Sequence, residues 1–443
     1  MFRTLINAFK VKDLRKRLLF VLFCLVVVRL GSQIPAPGIN QELVSSWLSN
    51  MELGFFDALT GGSFTSMSIL ALNISPYINS SIIMQLMTIA IPALAEMQKD
   101  GETGRKKIAE ISRYLTIVLA LIESGAMAIG FSNNGYTSQS GILSILVIMV
   151  TFTAGSAFLM WLGENITEYG VGNGVSIILV INIVAKLPSD FTNLYEVFVK
   201  GADSIAKGIL AAVIIVVIVI VTVTFIILLQ DAVRRIPVQY SQKVVGRRMM
   251  GGSGSFIPLK VNTSGVIPVI FAISLFQFPI IIASFLGVNG ATGSSATLFQ
   301  KFLYLVNDSN WFNFSSMSEF KYTLGAVIYV LLIIFFAYFY TSVTFNPMEV
   351  ASNMKKSGGF IPGIRPGKPT TDYLTTILNR VVFIGAIMLS IVALIPVFFS
   401  GVFHASVSFG GTSIIIIVGV VLETLKQMES MMIERHYKGF LNA

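Results

Sequence analysis

Ten apolar spans, a shortage of charge and a one-sided distribution of Lys and Arg predict an all-α polytopic membrane protein. The 443 residues are 54% hydrophobic and only 12% charged, and the mean hydropathy is +0.79. A soluble domain carries about 25% charge, so this composition does not suit a water-facing surface. Helices are the expected spanning element, because the runs approach the ~20 residues that take a helix across a bilayer with its backbone groups paired internally.

In chain order the spans are expected at Leu18 to Ile34, Ile74 to Leu94, Ile111 to Phe131, Ile142 to Leu162, Val175 to Leu187, Ile209 to Leu229, Val266 to Leu286, Leu324 to Phe345, Val381 to Phe399 and Ile414 to Met428. The basic arm before the first one, with Arg3, Lys10, Lys12, Arg15, Lys16 and Arg17, imitates a signal peptide. The first span is longer than an h-region of roughly 7 to 15 residues, and Ile34-Pro35-Ala36-Pro37 is a poor cleavage site, so it is expected to be retained. The fifth and tenth spans are short, which suits tilted or bundle-buried helices.

If the N-terminus is cytoplasmic, all but six of the 31 Lys and Arg fall in inside segments or at inside helix starts, the six being Arg29, Lys186, Lys200, Lys207, Lys301 and Lys321. Positive charge accumulates inside, so both termini are expected in the cytoplasm. The spans divide into an N-terminal half, residues 1–187, and a C-terminal half, residues 208–443, around an outer hinge loop at 188–207. Five is odd, so two such halves would be inverted in the membrane, an arrangement typical of machines that open a central path.

Three features bear on mechanism. The segment Gly54 to Ser68 lies outside, is too short to cross and is broken by Gly61-Gly62; it reads as a re-entrant segment, with a surface helix as the alternative. On the second span Ile78 and Ile82 share one face amid Asn73, Asn79, Ser80, Ser81 and Gln85, which suits a hydrated path or polar helix packing. Pro76, Pro268 and Pro279 are expected to break their spans. Third, the inside loops 231–263 and 346–375 are basic and turn-rich, with Arg234, Arg235, Lys243, Arg247, Arg248, Lys355, Lys356, Arg365 and Lys368. Loops of this length usually carry function, and their partner could be anionic lipid, RNA or an acidic protein surface.

No enzyme chemistry is legible. Cys24 is the single cysteine and His404 and His436 the only histidines, which leaves no disulfide or thiol cluster for a metal, and no hydrolase or nucleotide motif is present. Gly170-Val-Gly-Asn-Gly174 lacks the spacing and lysine of a phosphate loop and reads as a turn. Two other classes stay open on the residues alone: a secondary transporter, for which Glu123 is the sole carboxylate well inside a long span, and an anchoring or receptor scaffold.

Ordered blocks along the whole chain resemble the SecY family, the channel subunit of the bacterial SecYEG translocon. They are Ile34-Pro-Ala-Pro-Gly-Ile39, Asn73 to Ile83, Gly101-Glu-Thr-Gly-Arg-Lys-Lys107, Gly170 to Gly174, Gly265-Val-Ile-Pro-Val-Ile-Phe271, Gly359 to Lys368 and Gly410-Gly-Thr-Ser413. The resemblance implies an hourglass pore between two five-helix halves in the bacterial plasma membrane, clamped by SecE, accompanied by SecG, and lacking cofactor or metal. It implies an apolar pore ring at Ile78, Ile82, Leu179, Ile183, Val266, Ile270, Thr412 and Ile416. It implies a plug with Gly54, Phe55, Phe56, Leu59, Gly61 and Gly62, and a lateral gate near Ile82, Gln85 and Phe278 that admits signal peptides. The basic loops become the docking surface for the SecA motor ATPase and ribosomal RNA of the ribosome, Arg365 foremost, and the cargo becomes unfolded secretory or membrane protein.

Overall fold

The structure, a computed structural model, describes residues 9–44, 60–137, 141–200, 205–240, 243–245, 248–250, 254–285, 297–307, 311–312, 320–403 and 411–441. In chain order the elements are α1 (Lys12–Gly31), α2 (Ser75–Ala90), α3 (Pro92–Lys99), α4 (Glu102–Asn133), α5 (Ile142–Tyr169), α6 (Gly174–Leu194) and α7 (Ile205–Asp231). Then come strands β1 (Val233–Tyr240), β2 (Lys243–Val245), β3 (Arg248–Met250) and β4 (Gly254–Lys260), and helices α8 (Ile267–Phe285), α9 (Leu298–Val306), α10 (Leu324–Thr344) and α11 (Pro347–Lys356). Strand β5 (Gly359–Phe360) and helices α12 (Lys368–Phe403) and α13 (Gly411–Leu441) complete the order.

Each expected span falls on a helix. Among the described residues, six helical stretches are long and apolar enough to cross a membrane alone, and the α2–α3 pair adds a seventh. That pair is bent by 105°. Pro92 cannot donate to the carbonyl one turn back, and Ile91 before it is extended (φ −108, ψ 112), so the second expected span is broken there. Two expected breaks are corrected: Pro76 and Pro268 occupy the second positions of α2 and α8, where a helix needs no donor, and they start helices instead. Pro279 does lie inside α8.

The two spans expected to be short are long. Helix α6 runs through Pro188 to Leu194, into the stretch expected as a loop, followed by a π-helical turn at Tyr195–Lys200. Ser189 and Thr192 hydroxyls bond the carbonyls of Lys186 and Pro188 there. Helix α13 has 31 residues. Hydropathy sees only the apolar part of a helix, and these helices continue into polar sequence.

The chain clusters into two compact units, one of Met1–Ile214, Ser274–Gly325 and Pro396–Ala443, the other of Ile215–Ile273 and Ala326–Ile395. The first is built on α4 and α5. Ala120, Met127, Ala128, Phe131, Ile148 and Phe152 form one core with Ala36, Ile39, Phe64 and Met67. Hydroxyls cross the same helix faces: Ser124 and Thr153 lie 3.0 Å apart, and Ser80 donates to the Ser112 carbonyl at 2.7 Å. The block Gly170 to Gly174 is a packed turn. The Asn173 side chain accepts from Ser176 N–H at 3.2 Å, and Arg17 donates to the Gly170 carbonyl at 3.1 Å. Gly174 lies so close to the Gly163 carbonyl that no Cβ fits between them.

The second unit corrects the reading of the two basic segments as loops. They fold together into a three-stranded antiparallel sheet in the order β4, β1, β5, with Ile236 opposite Ile257, and Gln239 and Tyr240 opposite Phe360 and Gly359. Alternate residues Ile236 and Val238 point inward with Leu259, and Ala351, Met354, Ile361 and Leu374 close the core. Strand periodicity, apolar at every second position, is what builds this face.

Candidate functional site

The aliphatic residues proposed for a ring occur in pairs four apart, one turn on a common helix face. On α2, Ile78 and Ile82 are half-buried while Pro76, Ser80, Met84 and Thr88 are buried on the row beside them. Ile78 packs against a cluster that includes Leu159, Leu162, Ile166 and Ile178. On α6, Leu179 and Ile183 are buried, and so is Ile416 on α13, a helix packed against α6. Thr412 lies one turn before Ile416; its backbone is helical and its side chain is outside the described residues. In the second unit Val266 is half-buried at the entry to α8, and Ile270 is buried one turn later.

Of the gate residues, Gln85 is half-buried and its Oε1 is buried without a hydrogen-bond partner. Phe278 lies on α8, with its side chain outside the described residues. Beside Ile78, Asn79 donates to Oε1 of Glu123 at 3.1 Å, so the one carboxylate well inside a long span ties α2 to α4.

Gly54, Phe55, Phe56 and Leu59 fall outside the described residues, and the outer segment is described from Thr60 onward. From there it is a series of turns. Ser63 Oγ donates to the Thr60 carbonyl at 2.7 Å and Ser66 Oγ to that of Gly62 at 2.8 Å. Ala36 N–H bonds Met67 O and Ile69 N–H bonds Ile34 O, each at 2.9 Å, so the Ile34-Pro-Ala-Pro block is a backbone seat for residues 67–69. Arg29 Nη1 donates to the Gly61 carbonyl at 3.2 Å. In the sequence Arg29 is one of six basic residues left out of the inside segments, and it lies towards the end of its span.

The basic residues sit on the sheet unit. Arg234 and Arg235 are exposed on β1, and the Arg235 guanidinium lies 4.9 Å from the centroid of the Phe256 ring. Lys243 lies on β2 and Arg248 on β3; Arg247 is outside the described residues. Lys355 and Lys356 end α11, where the helix dipole favours cations. Arg365 and Lys368 are exposed. Buried Ile361 and half-buried Ile364 anchor the turn, and Thr370 Oγ1 donates to the Arg365 carbonyl at 2.8 Å, so a fixed loop presents that side chain outward. The pairing of the two segments was missed; the alternation of Ile236 with Val238 and of Ile257 with Leu259 was its available signal. Among the described residues, no group of His, Cys, Asp and Glu could hold a metal ion.

A family model described as SecY matches residues 68–425. The chain belongs to the SecY family. It is 42% identical over 447 residues to the protein translocase subunit SecY of Halalkalibacterium halodurans and 41% identical over 452 residues to that of Bacillus subtilis, covering 100% of both chains in each case. The fold is that of a solved protein-conducting channel, with a TM-score of 0.62 at 18% identity over 94% of this chain and 91% of that one. Sec61 in the canine ribosome-channel complex matches with a TM-score of 0.58 at 16% identity, over 94% of this chain and 91% of that one. SecY-family membership makes the chain a polytopic membrane channel subunit of a protein translocase and not an enzyme.

Proposed function

We propose that the chain forms a passive gated conduit in which Ile78, Ile82, Leu179, Ile183, Val266, Ile270, Thr412 and Ile416 make an apolar collar around unfolded polypeptide. The observation that carries this is the recurrence of aliphatic pairs at one-turn spacing on α2, α6 and the entry to α8, in a chain of this family. Aliphatic side chains close around any sequence without binding it, and a narrow dry collar resists ions because they would shed their water. Residues 1–187 and 208–443 are the two halves, hinged at 188–207, and Gly54 to Ser68 is the plug. Ile82, Gln85 and Phe278 border the lateral gate, where a sufficiently apolar segment exchanges into lipid while a polar one continues across.

The chain itself supplies no energy. SecA or the ribosome docks on the basic sheet unit, SecE and SecG complete the complex, and both termini face the cytoplasm of a bacterial plasma membrane. The exposed arginines and lysines match a polyanion such as ribosomal RNA, with affinity that falls as salt rises. The ribosome-bound Sec61 and yeast Ssh1 complexes among the structural matches support this partnership. The test is Arg365→Glu in the assembled translocon: SecA-driven export is expected to be lost while the complex still assembles, and intact export would overturn the docking assignment.

A further inference from the structure

Helix α9 has nine residues, too few to cross a bilayer, which takes about 20. It is held at both ends. Thr297 and Gln300 form a capping box, each side chain accepting from the other's backbone N–H, so the first turn is closed. At the other end the Leu305 carbonyl accepts from Trp311 Nε1 at 2.8 Å and lies so close to Gly325 that no Cβ fits there. Buried Trp311 packs edge-on against Phe276 of α8, with ring centroids 5.7 Å apart, and Tyr304 packs against Tyr322 at 4.7 Å.

The side of α9 that faces out is the apolar one. With about 3.6 residues per turn, Leu298, Phe299, Phe302, Leu303, Leu305 and Val306 share one side, and Gln300, Lys301 and Tyr304 share the other. Of the apolar side, Leu303 and Val306 are buried, but Leu298 is 87% exposed, Phe299 52% and Phe302 48%. Gln300, Lys301 and Tyr304 are half-buried. A helix bathed in water turns its polar side outward, so α9 is built for an apolar neighbour.

Its surroundings say which neighbour. Gly325, against which α9 is pressed, lies in the first turn of α10, and Phe312, next to Trp311, packs edge-on against Phe398 near the end of α12 at 5.7 Å. Both helices contain stretches long and apolar enough to cross a membrane. Their ends here carry exposed Leu324 and Phe398, so the apolar side of α9 adjoins surface that lipid covers. Lys301 is the one charged residue of the helix and sits on the polar side, where a cation meets lipid phosphates.

We propose that α9 is an interfacial anchor whose partner is the phospholipid surface. Leu298, Phe299 and Phe302 enter the acyl boundary while Lys301 stays among the headgroups, and Trp311 with Phe276 ties this anchor to α8. Assignment to the outer leaflet rests on the reading that both termini are cytoplasmic; the lipid contact does not.

The complete translocon, reconstituted into phospholipid vesicles in a Cys24→Ser background, tests this with nitroxides attached to Leu298→Cys, Phe302→Cys and Lys301→Cys. Collision with oxygen and with a water-soluble nickel chelate reads their depth. The labels at 298 and 302 are expected to favour oxygen, about 5–10 Å below the phosphates, and the label at 301 to favour nickel. Nickel access at 298 and 302 would show an aqueous face and overturn the anchor. Shielding from both reagents would show a protein there, a small subunit or a second copy, and would overturn it equally. In intact cells a membrane-impermeant thiol reagent is expected to reach Lys301→Cys from outside. Reaction from the cytoplasmic side alone would sink the topology and the outer-leaflet assignment while leaving the lipid contact standing.

Discussion

The helix pair α4–α5 and the sheet of β1, β4 and β5 expose opposite chemistries, and the helix pair buries a row of hydroxyls beside its apolar core. Helices α4 and α5 turn Val118, Leu121, Ile122, Leu143 and Val150 outward and bury Ser112, Thr116, Ser124, Thr153 and Ser156. The sheet buries Ile236, Val238 and Leu259 and exposes Arg234 and Arg235. Lipid tails are as apolar as leucine, so helices surrounded by them associate through close packing and hydrogen bonds, whereas a sheet surrounded by water associates by hiding apolar area. The change of solvent falls between α7, with exposed Ile214, Val217, Ile220 and Leu228, and β1, which begins two residues after it.

The largest way to break this contrast is Ile236→Asp. A carboxylate in the sheet core should cost more than about 4 kcal/mol, read as new protease sensitivity across residues 233–260 of the intact complex while the membrane helices stay protected. Loss of the whole chain would show instead that the sheet unit does not yield alone. Gly174→Ala comes next. A Cβ directed at the Gly163 carbonyl forces α5 and α6 apart, and overpacking of this kind costs about 1–3 kcal/mol, seen as a lower midpoint of thermal unfolding in detergent.

Smaller effects sharpen the comparison. Asn79→Leu removes the hydrogen bond to Glu123, and interhelical bonds in membranes average ~0.6 kcal/mol, so a slight loss of stability in detergent is expected. Glu123→Gln keeps an acceptor at the same place and should leave export intact; loss of an ion-coupled solute flux with this variant would favour a transporter. Arg235→Gln loses only an exposed cation–π contact of about 0.5–1 kcal/mol. It should leave the sheet folded, so a measurable defect in binding an anionic partner would belong to the charge itself.

The positions of the spans were legible in the sequence because apolar length is a local property, and lipid imposes it on each helix separately. The ends of α6 and α13 were not legible, because a helix leaving the bilayer carries polar residues that hydropathy reads as loop. The sheet was hidden for a different reason. Two strands of one segment pair with each other, and β1 alone also bonds to a two-residue strand from a segment more than a hundred residues later; neither segment shows its partner.

The clearest division lies at two arginines. Arg365 could be singled out from its Gly-Pro surroundings and family block, since an exposed side chain on a turn depends on few distant residues. Arg29 could not, because its meaning comes from Gly61 thirty-two residues away and from the α6 backbone at Asn182. Sequence alone determined which segments are apolar enough to form helical spans and which carry charge. Only the tertiary structure decided which backbone carbonyl a half-buried guanidinium meets, because that pairing exists only when three distant segments are packed together.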